Sequence, residues 1–228
     1  MTMRLPLLAL LGLLLAVVPA SAQQQVLYSN GPINGTVDAW QINFGYAVSD
    51  SFSLYTNSYL TAFNFAVWEL PGDTLLSLDW SITSAENGGT TFYSGTAYSG
   101  IGGNLTDTFL SINQFGYQID QINVGLGNLW FGLQLDAGTY WLNLSNAPTK
   151  WDNPVYWDEN SGEGCWPTWG GCPSQASESA FGTIPSEAFE IDGNICGVSC
   201  YTTPEPGTIL LFGSGVLCLA GALRRQRF

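Results

Sequence analysis

The chain contains no histidine, and it has only five basic residues against 18 acids. Without histidine, neither a Ser-His-Asp nor a Cys-His nucleophilic arrangement can be assembled. Metal-assisted hydrolysis on histidine ligands is excluded for the same reason. There is no Gly-x-Ser-x-Gly elbow and no phosphate-binding loop. The segment from Gly125 to Trp130 lacks the third glycine of a dinucleotide fingerprint and reads as a turn before a strand. The chemistry left open is that of a glycosidase, which needs two carboxylates. No spacing among the acids singles out such a pair, so the expectation is a protein without enzymatic activity.

Positive charge is scarcer still in the body of the chain. Arg4, Arg224, Arg225 and Arg227 lie in the two end segments, as does Glu205. Residues 23–203 therefore keep 17 acids and Lys150 alone, a formal charge of −16. Such a surface repels nucleic acid and anionic lipid headgroups. It keeps a secreted domain soluble and attracts divalent cations. Nine tryptophans, ten tyrosines and 12 phenylalanines supply enough apolar surface to bury a core, which argues against disorder. The 181 residues of that segment suit one domain.

At the N-terminus, Arg4 precedes an uncharged apolar run from Leu5 to Val18, and Ala20-Ser21-Ala22 is a small-x-small site. That order predicts a signal peptide over residues 1–22, cut between Ala22 and Gln23. At the C-terminus, Pro204-Glu205-Pro206 stops regular structure, because both prolines fix φ and lack an N–H. Gly207–Leu223 carries no charge over 17 residues, the lower limit for a membrane-spanning helix, and Arg224, Arg225 and Arg227 follow it. The arginines would hold that end on the cytoplasmic side. This tripartite tail, residues 204–228, resembles the PEP-CTERM sorting signal. The resemblance implies export, anchoring in the membrane through the helix, and removal of the helix by an exosortase. The mature product would then stay at the cell surface or leave it. The Tyr156–Gly162 and Ile184–Phe189 strings resemble secreted PEP-CTERM β-sandwich proteins of no assigned activity.

Between the ends the pattern is one of strands and turns. In Tyr59–Leu70, Phe63, Phe65 and Val67 share one face and Asn64, Ala66 and Trp68 the other. Leu76, Leu78, Trp80 and Ile82 alternate with polar residues, as in a half-buried antiparallel strand. Leu129–Leu135 and Thr139–Leu144, split by Asp136-Ala137-Gly138, predict a hairpin. The string from Leu135 to Leu142 resembles hairpins of secreted jelly-roll domains. Val37–Val48, Thr90–Tyr98, Phe109–Val124 (broken near Phe115-Gly116) and Ala188–Ile191 add further strands. The fold class expected is all-β, an antiparallel, jelly-roll-like β-sandwich over residues 23–203.

Residues 148–182 differ in being dense in Trp, Gly, Pro and acids, which predicts a long functional loop. Trp151, Tyr156, Trp157, Trp166 and Trp169 would form a platform for sugar rings, since flat aromatic faces bury the apolar face of a sugar. The opposing reading is that these rings cap the end of the sandwich. Asp152, Asp158, Glu159, Asn160 and Glu163 offer oxygen ligands of the kind calcium prefers. Against that stands a plain solvated acidic loop, which is the stronger of the two. Cys165, Cys172, Cys196 and Cys200 make an even set suited to two disulfides in an oxidising compartment. The spacings suggest Cys165–Cys172 and Cys196–Cys200, although three connectivities are open. A zinc site on these cysteines is disfavoured by their uneven spacing and the lack of histidine. Together these features predict a non-enzymatic structural or interaction protein of the cell envelope or exopolysaccharide matrix. Its partners would be exosortase, the secretion machinery and extracellular polysaccharide. A carbohydrate-binding module is the first alternative and a carboxylate-based glycosidase the second.

Overall fold

Extended strands and turns build the computed structural model, which describes residues 25–126, 132–161 and 176–196. Every regular element among those residues is a strand. Two strands lead in from the N-terminal side, β1 (Gln25–Ser29) and β2 (Ala39–Gln41), followed by β3 (Ala47–Leu54). The longest, β4 (Ser58–Glu69), is rich in aromatic and β-branched residues that fit a pleated surface. Next come β5 (Ser77–Ala85), β6 (Gly88–Tyr98), β7 (Leu105–Ile112) and β8 (Gln118–Gly125). The chain continues with β9 (Leu133–Leu135), β10 (Gly138–Ser145), β11 (Tyr156–Asp158), β12 (Ala176–Glu178), β13 (Gly182–Ile184) and β14 (Phe189–Ile195).

These strands form two wholly antiparallel sheets. The eight-stranded sheet is organised around β4, which is long enough to take two partners on each side. On one side it pairs β14 through Ser58–Phe65 and β11 through Val67 and Trp68. On the other it pairs β9 at Ser58–Leu60 and β8 from Ala62 to Glu69. The second sheet has the order β13-β12-β3-β10-β5-β6.

One core fills the space between the sheets, so the architecture is a β-sandwich. Phe63, Phe65 and Val67 of β4 meet Leu78 and Ile82 of β5, Phe52 of β3, and Leu142 and Leu144 of β10. Phe65 and Phe189 both pack edge-on against Trp157, at 5.8 and 5.6 Å between ring centroids. Each fully buried large side chain contributes roughly 1.5–3 kcal/mol. A smaller cluster of Ala66, Trp68 and Ile119, flanked by Tyr117 and Tyr156, covers the opposite face of β4.

Three sequence expectations are corrected by this arrangement. The Asp136-Ala137-Gly138 turn does not close a hairpin: β9 pairs β4 in one sheet, while β10 pairs β3 and β5 in the other. The turn is a crossing between layers, held by hydrogen bonds from the Tyr140 hydroxyl to the Asp136 carbonyl (2.9 Å) and from the Ala137 N–H to Asn57 Oδ1 (3.0 Å). Val37–Val48 is not one strand; it breaks between β2 and β3 where Phe44 and Gly45 take positive φ. Residues 148–182 are not a single loop, because β11 is an interior strand between β4 and β2, and β12 lies between β13 and β3 in the second sheet.

Candidate functional site

The core-facing rows of the large sheet end in carboxylates. Along β4 the inward row runs Phe63, Phe65, Val67 and then Glu69. Along β8 it runs Val124, Ile122 and then Asp120, which lies opposite Val67. On β7, Leu105 is followed two residues later by Asp107, paired opposite Ile122. Side chains two apart share a face, so pairing of three strands brings the three acids to one end of the sandwich interior. One carboxylate oxygen from each lies within 4.8 Å of the others.

Two of the three acids are closed off from solvent: Glu69 is 0 % exposed and Asp120 1 % exposed, while Asp107 is half-buried. Neither Glu69 oxygen accepts a hydrogen bond, and Asp120 Oδ1 accepts none. Asp120 Oδ2 accepts from the Gln118 side-chain amide, and Asp107 Oδ2 from the Leu75 N–H at 3.4 Å. A cleft of about 620 Å³ opens beside the group, lined by Thr74, Leu75, Ser99, Asp107, Gln118 and Asp120. Burial, reinforced by the charges of Asp107, Asp120 and Asp73, pushes the Glu69 carboxyl up to about 8. Burial and Asp120 raise Asp107 to about 6, against the pull of the Leu75 N–H. Asp120 is raised by burial, with the Gln118 amide opposing. Neighbouring Asp73 shows the contrast. Burial would raise it, but hydrogen bonds from Thr149, Asn153, Thr74 and Trp151 outweigh that and hold it below the usual value.

This arrangement suits a bound cation better than glycoside cleavage. A general acid must reach the glycosidic oxygen, and Glu69 is enclosed. The only basic residue among the described ones, Lys150, sends its ammonium over the Trp151 ring at 5.5 Å from the centroid.

A second set of acids gathers where β3 meets the segment before β14. Glu187 is 0 % exposed and neither of its oxygens accepts a hydrogen bond. Its pKa is raised well above the ordinary value by burial and then by the charges of Asp50, Glu159, Asp158 and Asp38. Asp50 takes a core-facing position between Val48 and Phe52, where its Oδ2 accepts from the Glu187 N–H at 2.6 Å.

The residues expected to act in the 148–182 segment are dispersed. Trp157 lies in the core, 0 % exposed, with its Nε1–H donating to the Ala188 carbonyl at 3.0 Å. Its place in the sugar platform is therefore corrected, because an extended strand turns alternate rings inward. Tyr156 points the other way and is half-buried against Tyr117, 5.9 Å between centroids. Trp151 is 55 % exposed. Trp166 and Trp169 lie outside the described residues. The calcium candidates are likewise not brought to one centre. Asp158 faces the outer cluster and accepts from Trp68 Nε1 (2.8 Å) and from the N–H groups of Gly35 (3.1 Å) and Asn34 (3.2 Å). Glu159, the next residue, accepts from Trp40 Nε1 (3.2 Å). Asn160 donates to the Asn30 carbonyl, and Asp152 is exposed with positive φ. Glu163 lies outside the described residues.

Cys196 is disulfide-bonded, and Cys165, Cys172 and Cys200 lie outside the described residues. So do the signal-peptide residues Ala20, Ala22 and Gln23, and the tail residues Pro204, Glu205, Pro206, Arg224, Arg225 and Arg227. Sequence reasoning passed over Glu69, Asp107 and Asp120. One signal for Glu69 was present, since it continues the apolar row of Phe63, Phe65 and Val67.

No curated protein matches the chain. Residues 202–226 match the family model of the PEP-CTERM protein-sorting motif. That motif implies export, anchoring in the membrane before processing, and processing by an exosortase. The chain thus carries a PEP-CTERM protein-sorting motif at residues 202–226, behind a described body of antiparallel β-sheets.

Proposed function

We propose that this protein is an exported, exosortase-processed component of the cell envelope or exopolysaccharide matrix, with a structural or interaction role and no catalytic one. The observation that carries the reading is the sorting motif at residues 202–226. The strongly acidic body supports it, since a charge of −16 over residues 23–203 keeps a secreted domain soluble and repels anionic surfaces. The lack of histidine and the enclosure of Glu69 both weigh against hydrolysis. Extracellular polysaccharide is the partner that fits this location, and exosortase acts on the chain before release. The mature domain spans residues 23–203, stapled by disulfides among Cys165, Cys172, Cys196 and Cys200.

Intact mass of the protein from its own cells tests this, with membrane and medium fractions measured separately. The expected species begins at Gln23 and ends between Thr203 and Pro206. A mass that retains Phe228 in every fraction would make the tail a permanent anchor and overturn the proposal.

A further inference from the structure

We propose that Glu69, Asp107 and Asp120 form a divalent-cation site, and that calcium is the ion it fits. The three carboxylates come from β4, β7 and β8, and one oxygen from each lies within 4.8 Å of the others. Calcium binds oxygen ligands at about 2.3–2.6 Å, so oxygens around one ion stand no more than roughly 4.6–5.2 Å apart. An oxygen from each of the three acids falls inside that limit.

Clustering alone would not identify a site, because acids often crowd a solvated surface. Here the decisive feature is unmet ligand capacity in a buried place. Glu69 is fully enclosed, and both of its oxygens lack any hydrogen-bond donor. Asp120 is 1 % exposed, and its Oδ1 is also without one. Buried carboxylates ordinarily accept hydrogen bonds from backbone or side-chain donors. Asp73, a few residues away, does so from the N–H groups of Thr74 (2.9 Å) and Trp151 (3.1 Å) and from Asn153 (2.8 Å). Nor, among the described residues, does a basic side chain neutralise the group, as Lys150 stacks on Trp151. The set has only oxygen donors, the ligand type of a hard cation. Calcium takes six to eight oxygens in flexible geometry, whereas magnesium demands a tight octahedron and keeps several waters. An enclosed glutamate with two flanking aspartates matches the former, and the adjoining cleft, lined by Asp107 and Asp120, leaves room for the waters that would complete the shell. Bound there, the ion would tie β7, which among the described residues pairs only β8, to the central strand β4.

The test is isothermal titration calorimetry of calcium chloride into the chelator-stripped full chain in detergent, with magnesium chloride run in parallel. One calcium per chain is expected, bound more tightly than magnesium. Glu69→Gln should weaken calcium at least about 100-fold, while Asp152→Asn, at an exposed position ahead of β11, should leave it unchanged. Each variant is melted in chelator first. If Glu69→Gln does not fold, Asp107→Asn at the half-exposed rim replaces it, with a loss of at least about tenfold expected. Absence of binding at millimolar calcium, tighter magnesium binding, or full affinity in the folded Glu69 or Asp107 variant would each overturn the proposal.

Discussion

Replacing Trp157 by alanine tests whether that ring belongs to the core or to a ligand surface. The indole is fully buried, packs against Phe65 and Phe189 with centroids 5.8 and 5.6 Å away, and donates to the Ala188 carbonyl at 3.0 Å. A Trp→Ala change in such a place costs about 3–5 kcal/mol through lost transfer energy and the cavity left behind. Loss of the donor to Ala188 adds about 1 kcal/mol. That sum is a large part of the roughly 5–15 kcal/mol by which a domain is stable. At about 2–4 °C per kcal/mol for a chain of this size, the melting temperature should fall by about 8–24 °C. Thermal melting followed by circular dichroism measures it. Trp157→Phe, which keeps an aromatic ring, should recover more than half of the loss. A Trp157→Ala variant melting within about 1 °C of the parent would refute the core placement. For comparison, Trp151→Ala at its exposed position should cost less than about 0.5 kcal/mol.

Four other outcomes are expected. Because Glu187 has a folded-state pKa raised well above 4.5, its contribution is fully present below pH 4.5 and is lost as pH rises toward the folded value. Melting of the chelator-treated protein should therefore show stability falling from pH 5 to pH 8, with Glu187→Gln gaining most at pH 8. An equal shift at both pH values would contradict this. Gly193→Ala should destabilise by several kcal/mol in denaturant titration, since a Cβ at this β14 bulge overlaps the Tyr59 carbonyl oxygen, a backbone atom that cannot swing away; an unchanged midpoint would count against the bulge. Tyr140→Phe removes the bond to the Asp136 carbonyl at the crossing between sheets and should cost about 0.5–1.5 kcal/mol in the same assay, a parental midpoint being the contrary result. Substituting Pro204, Glu205 and Pro206 together by alanine should leave unprocessed chain in the membrane fraction, and normal release would count against exosortase recognition of that triplet.

How far the fold was readable depended on strand length. In β4 and β5 the alternation of Phe63, Phe65 and Val67, and of Leu78, Trp80 and Ile82, spans enough residues to show which face is buried. The break at Phe115-Gly116 marked the β7–β8 turn because Gly116 takes φ 85°. β11 has only three residues, too few for a periodic signal, so its tryptophan looked like a surface ring. The β9–β10 turn misled for another reason. Alternation reports that a segment is extended, but it carries no information about which sheet supplies the partner.

The sorting motif was written in one short contiguous segment, because such a signal is recognised as a linear stretch of sequence. The all-β class followed in the same way from local alternation and turn chemistry. The meeting of Glu69, Asp107 and Asp120 did not, because it depends on the registers of three strands, with Val67 opposite Asp120 and Asp107 opposite Ile122. A row of apolar residues ending in an acid hints at something unusual. Only the pairing of distant strands decides that three such rows end at the same place, at a depth where Glu69 and Asp120 are closed off from solvent.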